Sequence, residues 1–215
     1  MEKPILFSGE MVKAILDGRK TQTRRVMKPQ PLFYTGRKYI VPDDAPKKWH
    51  DCDDIFAAGF CPYGQPDDIL YVRETWADLR GMGFGNDPQT DNPWNFAYAA
   101  DIKPGSDSDR IRKEYGVKWK PNIHMPREAA RLFLRVKSVR VERVQDISED
   151  DARAEGCSAG YETHGDGKFE DVTEYEWTAK EEFADLWNSI YAKRGFGWDI
   201  NPWVWVVEFD CEVVE

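Results

Sequence analysis

Gly18-Arg19-Lys20-Thr21-Gln22-Thr23-Arg24-Arg25 brings four cations and two hydroxyl side chains together with no acid between them. Lys20, Arg24 and Arg25 are suited to anions or carbonyl oxygens, and Thr21 and Thr23 add donors and acceptors. Side chains alternate along a strand, so Thr21, Thr23 and Arg25 are expected on one face and Gln22 and Arg24 on the other. The same residues also suit a solvated basic edge that discourages strand pairing. Spacing alone leaves both readings open.

A second constellation is Arg73-Glu74-Thr75-Trp76, at the end of an apolar run from Ile69. Alternation puts Glu74 on the face of Leu70, Val72 and Trp76, where a carboxylate is costly unless satisfied. Arg24 or Arg25 is the expected partner, either as an ion pair tying two strands or as part of a site. Trp76 suits a pocket wall or the core. His50, Cys52 and Cys61 are the candidates for zinc, but their spacing fits no standard pattern and supplies no fourth ligand. Neither a metal nor a cofactor is expected.

The elements around these residues follow from punctuation and period. Pro4 to Phe7 reads as a short buried strand. Ser8 then caps a helix with Met11, Ala14 and Ile15 at helical spacing, and Gly18 stands where a C′ glycine would end it. Thr21 to Val26 reads as a cleft-lining or exposed strand. Ile69 to Trp76 is the next strand, and a short one is expected at Phe96 to Ala100, followed by an irregular stretch to Pro126. Arg131 to Val144 is the longest strand candidate. Its apolar set slips by one residue between Val136 and Val139, as a β-bulge would cause. Ser148 opens a short helix with Asp151 in the capping-box position and Gly156 at its exit. A Gly-rich loop follows. Thr178 and Glu181 form a second box, leading into the stripe Phe183, Leu186, Trp187, Ile190 and Tyr191. Trp203 to Cys211 alternates as a half-buried strand. Strands outnumber helices without βαβ order, which predicts an α+β chain with a curved, mainly antiparallel sheet or small barrel.

The chain has 215 residues and a formal charge of −9, with nine Trp, nine Tyr and eleven Phe. An acidic chain repels nucleic acid unless its cations cluster. They do, in Arg19 to Lys28 and again in Arg127, Arg131, Arg135, Lys137, Arg140 and Arg143. The four cysteines show no CxxC spacing, no apolar run reaches membrane-spanning length, and no signal peptide is expected from the start Met1-Glu2-Lys3-Pro4. The expectation is a cytoplasmic protein without a membrane partner.

The Gly18–Arg25 stretch resembles the signature of the ASCH domain, a family with a PUA-like β-barrel. Cys61-Pro62-Tyr63-Gly64 and Asp68 to Trp76 resemble the phage and prophage branch. So do Met125-Pro126-Arg127 and Val139 to Arg143 leading into Asp146 to Ala152. The resemblance covers most of the chain as one domain over 1–215, with insertions at about 30–60, 77–122 and 158–175. Asp67 departs from it, since relatives usually carry Gly there, and a tight turn is put at issue.

Two functions are implied. The first is binding of RNA, single-stranded nucleic acid or a modified nucleobase in a basic cleft beside the barrel, with Gly18, Thr21, Arg24, Arg25, Glu74 and Trp76 as ligand-binding residues. The alternative follows family members that deacetylate acetylated cytidine with a Lys, a Thr and a Glu. Position by position these match Lys20, Thr23 and Glu155, with Arg25 at the oxyanion. A desolvated lysine would act as base, activating the threonine or a water. A regular strand would point Lys20 and Thr23 apart, so this scheme needs Lys20 in an irregular turn after Gly18. A third reading is a phage or host protein-interaction module without catalysis.

Overall fold

The computed structural model describes residues 1–34, 37–40, 50–51, 60–80, 82, 95–164 and 173–213. The fold is mixed α+β, with a mainly antiparallel sheet of five strands. These are β1 (Glu2–Leu6), β2 (Gln22–Val26), β6 (Ile69–Arg73), β9 (Leu132–Arg143) and β12 (Trp203–Val213), in the order β1-β6-β9-β12-β2. The β1–β6 pair is parallel, with Ile5 opposite Val72. β6 runs antiparallel to β9, and β12 antiparallel to β2. A closed barrel needs its first and last strands to pair. Among the described residues none joins β1 to β2, so the expected barrel closure is not observed. No helix among the described residues is long and apolar enough to cross a membrane.

The chain divides into two compact units. One comprises Met1–Gly18, Asp68–Arg135 and Cys211–Glu215. Its helix α1 (Gly9–Leu16) is capped by Ser8, whose hydroxyl accepts from the Met11 N–H, and buries Val12, Ala14 and Ile15. Gly18, at φ 71, takes the left-handed turn expected after the helix. The core of this unit gathers Ile5, Phe7, Leu70, Val72, Leu132 and Leu134.

The expected strand from Ile69 to Trp76 is interrupted at Glu74 and Thr75. The Glu74 N–H lies against the Met125 sulfur at 3.1 Å. The chain resumes as β7 (Trp76–Asp78), which forms a hairpin with β8 (Phe96–Tyr98). The irregular stretch expected up to Pro126 contains a helix instead, α2 (Asp107–Glu114). Its sole apolar residue is Ile111, so periodicity does not reveal it. Its ends are set by the Ser106 cap, Asp107 and Asp109 in the first turn, and Arg112 and Lys113 in the last.

The other unit comprises Arg19–Asp67 and Val136–Asp210. It holds α3 (Glu149–Ala154) and α4 (Ala179–Tyr191). The capping box of Thr178 and Glu181 forms in full. At α3 only half of the expected box forms. The Ser148 hydroxyl accepts from the Asp151 N–H, but the Asp151 carboxylate is engaged elsewhere. Phe183, Trp187 and Tyr191 pack with Val26, Val144, Ile147, Val204 and Val206. Trp203 through Val207 are all buried, so this half of β12 is covered on both faces rather than one.

The Gly-rich loop expected after Gly156 contains an antiparallel hairpin of β10 (Gly160–His164) and β11 (Thr173–Trp177). Gly160 is required there, because a Cβ would meet the Trp177 ring at 2.4 Å. A small sheet of β3 (Leu32–Tyr34), β4 (Arg37–Ile40) and β5 (His50–Asp51) lies in the region expected as an insertion. Cys52 and the side chain of His50 fall outside the described residues. Asp67 keeps the turn that glycine would make: it sits at φ 73, which Asp tolerates better than most residues.

Candidate functional site

The basic segment departs from a regular strand at Lys20. That residue makes an isolated antiparallel bridge to Glu155, ahead of β2. The Thr21 N–H donates to the Ala154 carbonyl at 2.9 Å, and the Thr21 carbonyl accepts from the Phe209 N–H at 2.9 Å. The Lys20 ammonium donates to the Glu155 Oε2 at 2.6 Å and to the Glu155 carbonyl at 2.9 Å. Glu155 is the C-cap of α3, and Gly156 turns the chain away at φ 94. A cation is favoured at that end of a helix, where carbonyls lack intrahelical partners. The two side chains are 0% and 4% exposed.

Arg24 extends the pair into a network. Its Nη1 reaches Glu155 Oε1 at 3.4 Å, while Nη2 donates to Glu142 at 3.0 Å and Asp151 at 2.9 Å. Arg140 donates to both Asp151 oxygens at 3.0 and 3.1 Å, and bonds Glu142 and Glu208. Gln22 accepts from Arg140 at 3.2 Å, and the Ser138 hydroxyl donates to Glu208 at 2.8 Å. Three cations (Lys20, Arg24, Arg140) thus face four carboxylates (Glu142, Asp151, Glu155, Glu208).

Burial lowers the Lys20 pKa below the ordinary lysine value; the Glu155 carboxylate opposes that shift without cancelling it. Burial works against ionised Asp151, but Arg24 and Arg140 outweigh it and hold the carboxyl below its usual range. The neighbouring Cys157 thiol is pushed up to about 12, chiefly by burial and then by Glu182 and Glu155. It is not an activated thiolate.

Of the three expected catalytic residues, Lys20 and Glu155 meet. Thr23 is buried on β2 opposite Val207, on the face away from Arg24 and its carboxylates. Alternation therefore separates it from the pair, as a regular strand requires. Arg25, half-buried opposite Trp205, shares the Thr23 face. On the electrostatics of that face, burial raises the Tyr63 pKa while Arg25 pulls it down. Thr21 and Gly18 are exposed.

Glu74 does not take Arg24 or Arg25 as its partner. Its carboxylate accepts two bonds from Arg131, at 2.9 and 3.2 Å, and Arg131 also pairs with Asp101 at 2.7 Å. The reason is local: Arg131 directly precedes β9, the antiparallel neighbour of β6, whereas Arg24 is occupied by Glu142, Asp151 and Glu155. Trp76 packs with Met125, Ala129, Phe96 and Tyr98 as core.

The second basic run is largely compensated. Arg127 pairs with Glu2, Arg135 with Glu212, Lys137 with Asp210, and Arg143 lies over the Trp203 ring. Gln22, Ser138, Arg140, Glu142, Asp151 and Glu208 are members of the network that sequence reasoning did not pick out as site residues. For Arg140, Glu142 and Asp151 the signal was the pair Arg140 and Glu142 at spacing two and an acid at the third helical position, where a cap is the commoner use. The chain matches no protein-family model, no curated protein and no solved structure.

Proposed function

We propose that this chain is an amidohydrolase of the ASCH, PUA-like type. Its substrate would be a small N-acylated cytosine nucleoside or a comparable amide, split by water into a carboxylic acid and the free amine. The observation that carries this reading is the Lys20 amine, enclosed in the chain at 2.6 Å from Glu155 and made more acidic by that enclosure. An amine that sheds its proton nearer neutral pH is a usable base. Lys20 takes a proton from the attacking water, and Glu155 relays it towards the departing nitrogen. Thr23 lies on the other face, so water rather than its hydroxyl is the nucleophile. Lys20 has no exposed side-chain surface, so the substrate enters as the residues over it part.

Acetylcytidine incubated with the wild-type chain is expected to release cytidine, and Lys20→Met is expected to release at least about 100-fold less. Release undiminished in Lys20→Met overturns the reading.

A second reading, recognition of a modified base without turnover, is favoured by the position of Thr23, whose side chain lies on the face of β2 away from Arg24. Binding of acetylcytidine with no release from a panel of N-acyl nucleosides would select it. An extended RNA is served less well, because the cations it would use are paired with carboxylates of the chain. Phosphate contacts make affinity fall steeply with salt. A fluorescent single-stranded RNA is accordingly expected to show no tight, salt-sensitive binding.

A further inference from the structure

Glu155 is divided between two cations. Oε2 faces Lys20 at 2.6 Å, and Oε1 faces Arg24 at 3.4 Å. We propose that Arg24 is a positioning residue for this pair: by holding the second oxygen of Glu155 it keeps the carboxylate shared, so that Lys20 gives up its proton more readily. This rests on the amidohydrolase reading for its purpose, since an amine left sole owner of a buried carboxylate would stay charged and be no base.

The other groups around Lys20 come from every neighbouring element. Arg25 on β2 also disfavours its charge, while Cys157 beyond α3 favours it, and Glu182 on α4 acts on that thiol. From β9, Glu142 competes for Arg24, and Arg140 holds Asp151 in place. Arg24 itself has no exposed side-chain surface, and its other hand is fixed by Glu142 and Asp151. It therefore cannot swing away from Glu155 without breaking two further ion pairs. Glu142 is the lever on this arrangement. It neutralises part of the Arg24 charge, and removing it leaves more of that charge bearing on Glu155.

Opposite signs follow for two substitutions. Arg24→Gln removes a cation near Lys20 and frees Glu155, so Lys20 titrates higher by about one unit. Glu142→Gln strengthens the hold of Arg24 on Glu155, so Lys20 titrates lower, by less. Arg24→Lys keeps the charge and restores most of the wild-type value. Direct Coulomb effects of the two substitutions persist in a Glu155→Gln background, whereas an effect exerted by holding Glu155 disappears there.

The test is a titration of the Lys20 side chain by NMR on the full chain with isotope-labelled lysine, the resonance being assigned by its loss in Lys20→Arg. The acid limb of the pH–rate profile for acetylcytidine is recorded alongside it. Opposed shifts in Arg24→Gln and Glu142→Gln that vanish in a Glu155→Gln background support the proposal, and opposed shifts that persist there are direct Coulomb effects and overturn it. Shifts of the same sign, or none, overturn it even where turnover is present. Absence of turnover with opposed shifts removes the hydrolase reading and leaves the coupling standing. Should Arg24→Gln not fold, Glu142→Gln carries the sign and Arg24→Lys the rescue.

Discussion

Two buried carboxylates in this chain are held in different ways. Glu74, in the unit that contains α1, is clamped by Arg131, which also grips Asp101 and lies 4.0 Å over the Tyr98 ring. Glu155, in the other unit, faces a lysine and shares its second oxygen with Arg24. Burial alone does not distinguish them, since the carboxylates are 1% and 4% exposed. The cation does. A guanidinium keeps its proton at any working pH, so Arg131 stays a fixed cation that ties Glu74 to Asp101. A desolvated ammonium gives up its proton more readily, which is what the proposed chemistry asks of Lys20. A buried acid marks a candidate site only when its partner titrates.

The largest expected effect separates the two by activity. Glu155→Gln is expected to abolish deacylation to below about 1% of wild type, whereas Glu74→Gln leaves it within a few-fold. Turnover measured on folded protein, checked by circular dichroism, reads this directly. Equal losses in both variants would erase the distinction.

Stability comes next. Breaking a buried pair leaves one charge uncompensated, and Glu74→Gln is expected to cost about 3 kcal/mol by denaturant unfolding. Asp101 keeps Arg131 partly satisfied, which holds the cost at the low end of such cases. A cost under about 1 kcal/mol would mean that the clamp is ornamental.

The pH dependence of stability sharpens the contrast further, because the two groups have opposite signs. Burial raises the Glu74 pKa above its unfolded value, against the pull of Arg131. The folded state then binds the proton more tightly, so this contribution is full below the unfolded value and is lost as pH rises through the folded one. Lys20 is lowered, mainly by burial. Between its folded value and the ordinary 10.5, the unfolded chain holds the extra proton, and stability rises with pH. Melting temperature followed against pH is expected to lose its falling acidic component in Glu74→Gln and its rising alkaline component in Lys20→Met. The smallest effect belongs to the exposed pair of Arg135 and Glu212. Arg135→Ala is expected to change stability by no more than about 0.5 kcal/mol.

Much of this frame was legible from local rules. Ser8, Ser148 and Thr178 open their helices, and Gly18, Gly156 and Gly195 turn left-handed near their ends, because capping depends on a few adjacent residues. Burial along β9 covers Leu132, Phe133, Leu134 and Val136 and then Val141, while Val139 stays part-exposed, so the expected one-residue slip is matched at Val141 alone. α2 was missed because it is stabilised by charges and caps rather than by an apolar stripe. The burial of both faces of β12 was missed for another reason: alternating residues cannot report a second covering layer when the outer positions are Val204 and Val206.

For the proposed site, the sequence by itself offered Lys20 and Glu155 as candidates and set the side of β2 on which Thr23, Arg24 and Arg25 each lie. Alternation is a property of the backbone, so Thr23 and Arg24 were bound to part company wherever the strand went. Who meets whom was decided only by the tertiary structure. Lys20 found Glu155 across 135 positions, and Glu74 found Arg131 instead of Arg24. Ion pairs at such separations depend on sheet order and on competition among several acids for each cation. Neither is written in any local stretch of the chain.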